Sequence, residues 1–88
     1  MKPQLFYEIT SPEGATARRA VTARGLLDQV QFRNIHYEEV RADLDAHHRD
    51  SGHDGAVQLP ALWDGQTLHE GLPAVLAAIA ALTAIGTQ

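Results

Sequence analysis

Hydrophobic and polar positions change period several times along this chain, and each change marks an element. Residues 4–9 alternate, with Leu5, Tyr7 and Ile9 on one face and Phe6 strengthening the other, which predicts a strand. Thr10-Ser11-Pro12-Glu13-Gly14 then reads as a loop, with Pro12 and Gly14 as breakers. Over residues 15–30 the period lengthens. Ala17, Ala20, Ala23 or Arg24, Leu27 and Val30 recur at helical spacing, while Arg18, Thr22 and Gln29 share a polar face. Gly25 interrupts this helix at a cost of about 1 kcal/mol relative to alanine. Residues 34–40 predict a second strand, and residues 42–49 a short helix anchored by Leu44. A polar loop follows over residues 50–55. Residues 57–63 form a short apolar run, Asp64-Gly65 is a hairpin signal, and residues 66–69 return as a fourth strand. Pro73 suits the first turn of a last helix over residues 74–85, with Gly86 as its stop.

The predicted order is β-α-β-α-β-β-α in one domain spanning residues 1–88. The first β-α-β unit calls for a right-handed parallel crossover. The final hairpin is antiparallel, so the four-stranded sheet is mixed. Helices on both faces make a three-layer α/β sandwich.

Composition narrows the chemistry. The chain has 88 residues, 44% hydrophobic and 20% charged, which suits one small domain. It has no cysteine, so disulfides, thiolate nucleophiles and cysteine-ligated metals are excluded. The net charge of −4 and the small aromatic content speak against nucleic-acid binding. The longest apolar stretch, residues 72–82, contains Pro73 and is too short for a membrane span, which needs about 20 residues. Met1 to Thr10 lacks the continuous apolar run of a secretory leader, so a cytoplasmic protein is expected.

Several pieces, taken in order, carry a resemblance. They are Leu5-Phe6-Tyr7 leading into Ser11-Pro12, Ala17-Arg18-Arg19, residues 35–40, Gln58-Leu59-Pro60-Ala61-Leu62, and the run from Asp64-Gly65 to Glu70-Gly71. Together they resemble the thioredoxin fold, and more narrowly the glutaredoxins and the N-terminal domain of glutathione transferases. The resemblance covers almost the whole chain. Where glutaredoxins open their first helix with two cysteines, this chain has Gly14-Ala15-Thr16-Ala17, so thiol–disulfide exchange is excluded. Where the transferases carry an acidic or amide residue followed by serine, it has Glu70-Gly71.

The resemblance implies that Pro60 is the cis proline of the fold. The backbone N–H and C=O of Leu59 would then face outward and pair with an extended peptide such as glutathione. Glu70 would face the ligand's ammonium group, Gly71 would lie in the same ligand site, and the helix start at Gly14 would attract a carboxylate or thiolate. It also implies Tyr7 as a hydroxyl that could hold the glutathione sulfur, with Ser11 as the serine-type alternative. Neither is assigned as catalytic.

Other polar clusters read as structural. His47, His48 and His53 lie among Asp45, Asp50 and Asp54, but adjacent histidines on a helix diverge by about 100° and chelate poorly. They read as a solvated surface, and no metal is expected. Arg18, Arg19, Arg24 and Arg33 read as a solvated helix face, and Trp63 as a core or sheet-face residue. The last helix, with Leu72, Val75, Leu76, Ile79, Leu82 and Ile85 among alanines, is apolar on every side. An exposed small-residue patch there would support a homodimer or a protein partner. The reading is a redox-inactive interaction or structural module, with a groove for glutathione or an extended peptide. The alternative is a minimal glutathione transferase using the Tyr7 or Ser11 hydroxyl.

Overall fold

The computed structural model describes residues 2–86, with side chains over residues 2–82. The chain runs β1 (Gln4–Tyr7), α1 (Pro12–Ala23), β2 (Gln31–Asn34), α2 (Glu38–Asp50), β3 (Ala61–Trp63), β4 (Leu68–Glu70) and α3 (Leu72–Gly86). The four strands form one sheet in the order β2-β1-β3-β4. β1 and β2 are parallel, whereas β3 is antiparallel to both β1 and β4. The arrangement is α/β with a mixed sheet, as the pattern predicts, and is consistent with a thioredoxin-like fold. Among the described residues, no helix is long and apolar enough to cross a membrane.

Adjacent strand residues point to opposite faces, and the core divides accordingly. Leu5 and Leu62 join Val21, Val75 and Ile79 beneath α1 and α3. Phe6, Ala61 and Leu68 join Val40 and Leu44 beneath α2. Strands of three or four residues suffice because Leu5, Phe6, Ala61 and Leu62 are all fully buried.

Several boundaries depart from the sequence expectation, each for a local reason. Ser11-Pro12-Glu13 is a helix start rather than a loop. Ser11 Oγ accepts the Gly14 N–H at 3.3 Å, and Pro12 occupies a first-turn position where its missing N–H costs nothing. The helix does not continue to Val30. Gly25 sits at φ 71°, the Gly25 N–H donates to Thr22 O, and the Leu26 N–H donates to Val21 O. These two bonds make a Schellman stop, with Leu26 buried behind it. Leu27, placed in the apolar stripe by spacing, is 53% exposed.

The predicted strand over residues 34–40 is corrected as well. β2 pairs with β1 from Gln4↔Gln31 to Tyr7↔Asn34 and ends there. The Asn34 side chain accepts the His36 N–H at 2.9 Å and turns the chain into α2. Glu38 and Glu39 then sit in the first turn, where carboxylates favour a helix, and Val40, Leu44 and His48 form its buried stripe. β1 ends before Ile9, which is 53% exposed. β3 and β4 begin four and two residues later than expected. α3 starts at Leu72, with Pro73 in its first turn, and the side chain of Ile85 lies outside the described residues. The Asp64-Gly65 hairpin forms as predicted. Asp64 Oδ1 accepts the N–H groups of Gln66 and Thr67, and Gly65 takes φ 102°.

Gly14 is buried where α1 crosses the end of β1. A Cβ there would lie 2.9 Å from Glu8 O and 3.4 Å from Tyr7 Cβ. Alanine usually gains about 1 kcal/mol over glycine inside a helix. Overpacking against backbone typically costs about 1–3 kcal/mol. Gly14→Ala is therefore expected to lower stability by about 1 kcal/mol in urea denaturation, against the helix-propensity trend.

Candidate functional site

Register collects the chain's chemistry at one end of the sheet. The Phe6↔Ala61 and Ala61↔Glu70 pairs place Pro60 beside Tyr7 on one flank and Gly71 on the other. The Gly71 N–H closes the corner by donating to Pro60 O at 2.9 Å, with Gly71 at φ 88°. The Leu59–Pro60 peptide bond is cis. Leu59 makes no backbone hydrogen bond with the described residues, so its N–H and C=O are unpaired. α1 starts at the same end, its cap Ser11 four residues after Tyr7. A shallow cleft of about 300 Å³ lies beside it, lined by Glu8, Ile9, Thr10, Asn34, Ile35 and His36.

Tyr7 is half-buried. The Arg18 guanidinium lies 4.7 Å from its ring centroid, and Phe32 meets it edge-on. No hydrogen bond engages the Tyr7 hydroxyl among the described residues. The Ser11 hydroxyl is committed, accepting from Gly14 and donating to Glu13 Oε1 at 3.1 Å. The start of α1 offers an anion little. Pro12 has no N–H, the Gly14 N–H is capped, and Glu13 already supplies a carboxylate.

Glu70 is turned inward. It shares a cross-strand row with Phe6 and Ala61, so its side chain lies on the α2 face. There His48 Nδ1 sits 2.6 Å from Glu70 Oε2, and the Gln58 N–H donates to Glu70 Oε1 at 3.0 Å. The side chains of His48 and Glu70 are only 11% and 10% exposed. The other ring nitrogen of His48, Nε2, lies 3.0 Å from Gly55 O. A neutral imidazole has one N–H, yet both nitrogens here face acceptors. Protonation of His48 lets both nitrogens donate, and the Glu70 hydrogen bond raises the His48 pKa against the opposing effect of burial.

His53 stacks on His48 with ring centroids 5.6 Å apart and donates from Nε2 to Leu68 O at 2.9 Å. The Leu68 N–H donates to Ser51 Oγ at 2.9 Å. The outer edge of β4 is thus closed by side chains from the segment after α2.

The expectation of a solvated histidine surface is corrected at two positions. His48 belongs to the buried stripe of α2, a place its spacing of four and eight residues from Leu44 and Val40 already indicated. His47 stacks on Trp63 with centroids 4.0 Å apart and an interplanar angle of 15°. Arg33 leaves the expected basic patch. It extends from β2 to pair with Asp43 at 2.8 Å and with Gln4. Among the described residues, no group of three or more histidine, aspartate or glutamate side chains is placed to hold a metal ion. No family model matches the chain, and no curated protein matches it significantly.

Burial lowers the pKa of His47, overriding the pull of Asp43 and Asp50, with Arg33 acting in the same direction as burial. A lowered folded-state value means the unfolded chain takes up that proton first as the pH falls. The His47 contribution to stability is therefore present above about pH 6.5 and fades below it. Trp63, the single tryptophan, reports this directly. Its fluorescence is expected to fall in a step below about pH 6.5 as the stacked ring charges. The step should vanish in His47→Gln.

Proposed function

We propose that this chain is a redox-inactive, glutaredoxin-like interaction module of the cytoplasm that docks an extended peptide along the backbone of Leu59. The observation that carries this reading is the unpaired Leu59 N–H and C=O next to the cis bond to Pro60. A backbone edge of this kind takes a strand-like ligand by main-chain hydrogen bonds. The chain has no cysteine, so no thiol chemistry accompanies docking. Glutathione shares the required backbone, but the groups that would meet its charged ends are already used. Glu70 serves His48 and Gln58, and Ser11 and Glu13 cap the start of α1. An extended peptide therefore fits better than glutathione. The alternative, a transferase, rests on the free Tyr7 hydroxyl alone.

The test is an amide NMR titration with an acetylated Thr-Val-Thr-Val amide and, separately, with S-methylglutathione. Shifts confined to Leu59, Gly71 and their neighbours at millimolar peptide are expected, and weaker ones with S-methylglutathione. The absence of localised shifts with both ligands would remove the reading.

A partner contact through α3 is part of the same proposal. Pro73, Ala77 and Ala81 are exposed at spacings of four on this uncharged helix, whereas Ala78 is buried against the sheet. Self-association through that face predicts a concentration-dependent mass in sedimentation, reduced by Ala77→Glu. A monomer at every concentration in both forms would exclude a homodimer through α3.

A further inference from the structure

We propose that the His48–Glu70 pair is a pH-sensitive latch that holds the segment carrying Leu59 against β4. The regulation of docking rests on the preceding reading, whereas the latch itself does not. Residues 54–59 make no backbone–backbone hydrogen bond to the sheet. Their polar ties are His48 Nε2 to Gly55 O and the Gln58 N–H to Glu70 Oε1. Packing adds only the half-buried Val57 and Leu59. Both polar ties converge on the one ion pair, 2.6 Å across.

The order of release follows from the two acceptors. When the pair gives up its extra proton, one nitrogen of His48 is left as a lone pair facing an oxygen. The carboxylate is the stronger acceptor, so Nδ1 keeps its proton and Nε2 loses its own. Gly55 O then faces a lone pair at 3.0 Å and is pushed away. The groups around the ring favour the charged form. Glu70 faces it from β4 and Asp45 from its own helix, with the Gly55 carbonyl in the segment itself. His53 stacks on the ring but spends its Nε2–H on Leu68 O. The segment is therefore latched below the His48 transition and released above it. Docking at Leu59 follows the same direction, because a fixed backbone edge loses less entropy on binding.

Histidine ¹⁵N NMR and amide hydrogen exchange on the full chain test this. Below the transition, both ring nitrogens of His48 should be protonated, with a midpoint above about 6.5. Above it, Nε2 alone should lose its proton. The protection of the Gln58 amide, corrected for the intrinsic exchange rate, should fall severalfold in step, while Val21 in α1 stays unchanged. In His48→Gln, Gln58 protection should no longer depend on pH. If that variant does not fold, Glu70→Gln serves. It keeps an acceptor for Gln58, lowers the His48 midpoint and moves the loss of protection with it. A His48 midpoint at or below about 6.5, or Gln58 protection indifferent to the His48 titration, would overturn the latch. A latch without peptide shifts would overturn the docking reading alone, and peptide shifts without the latch would overturn only this inference.

Discussion

The row of residues Phe6, Ala61 and Glu70 across three strands is the constraint on which the rest of the molecule depends. A slip of one residue in either pairing would exchange the faces of Leu5 and Phe6 or of Ala61 and Leu62, all fully buried. The strands are too short to absorb such a slip elsewhere. The same row decides the site. It sends Glu70 to the α2 face, sets Pro60 between Tyr7 and Gly71, and leaves Leu59 just beyond the last paired residue.

A small domain has little apolar surface to spare, and this one gives a share of its α2 face to polar groups. The arrangement is tolerable because nearly every polar atom there has a partner. Glu70 accepts from His48 and Gln58, His48 reaches Gly55, and His53 and Ser51 close the edge of β4. Removing one partner would leave a buried charge unpaired, which is worse than never having placed it. Trp63 Nε1 is the exception among the described residues, buried without a hydrogen bond. Its ring packs face to face on His47, and a charged imidazole at that distance would be poorly solvated. Two adjacent histidines of one helix are thereby driven in opposite directions, one toward its charged form by a carboxylate and one toward its neutral form by burial.

The element order, the mixed sheet and the hairpin at Asp64-Gly65 were legible in the sequence because each depends on local chemistry: alternation, a turn residue, a helical period. The boundaries that failed did so where one local signal masked another. Ser11-Pro12 reads equally as a turn and as a cap with a first-turn proline, and only docking of Gly14 against Glu8 and Tyr7 selects the cap. Residues 35–40 look like a strand by composition, yet the partner strand β1 ends at Tyr7 and leaves nothing for them to pair with. His48 was legible as a buried position from its place on the Val40–Leu44 stripe. Its pairing with Glu70, 22 residues away, was not.

The sequence by itself determined that this is a cysteine-free α/β chain with no thiol chemistry and a proline ahead of its hairpin. Those properties follow from composition and from short-range steric preference. The tertiary structure alone decided that Glu70 turns inward, that Ser11 is spent as a cap, and that Leu59 is left with an unpaired backbone. Each outcome depends on which distant residue competes for the same hydrogen bond, and that competition is settled only when the strands are in register and the helices are packed upon them.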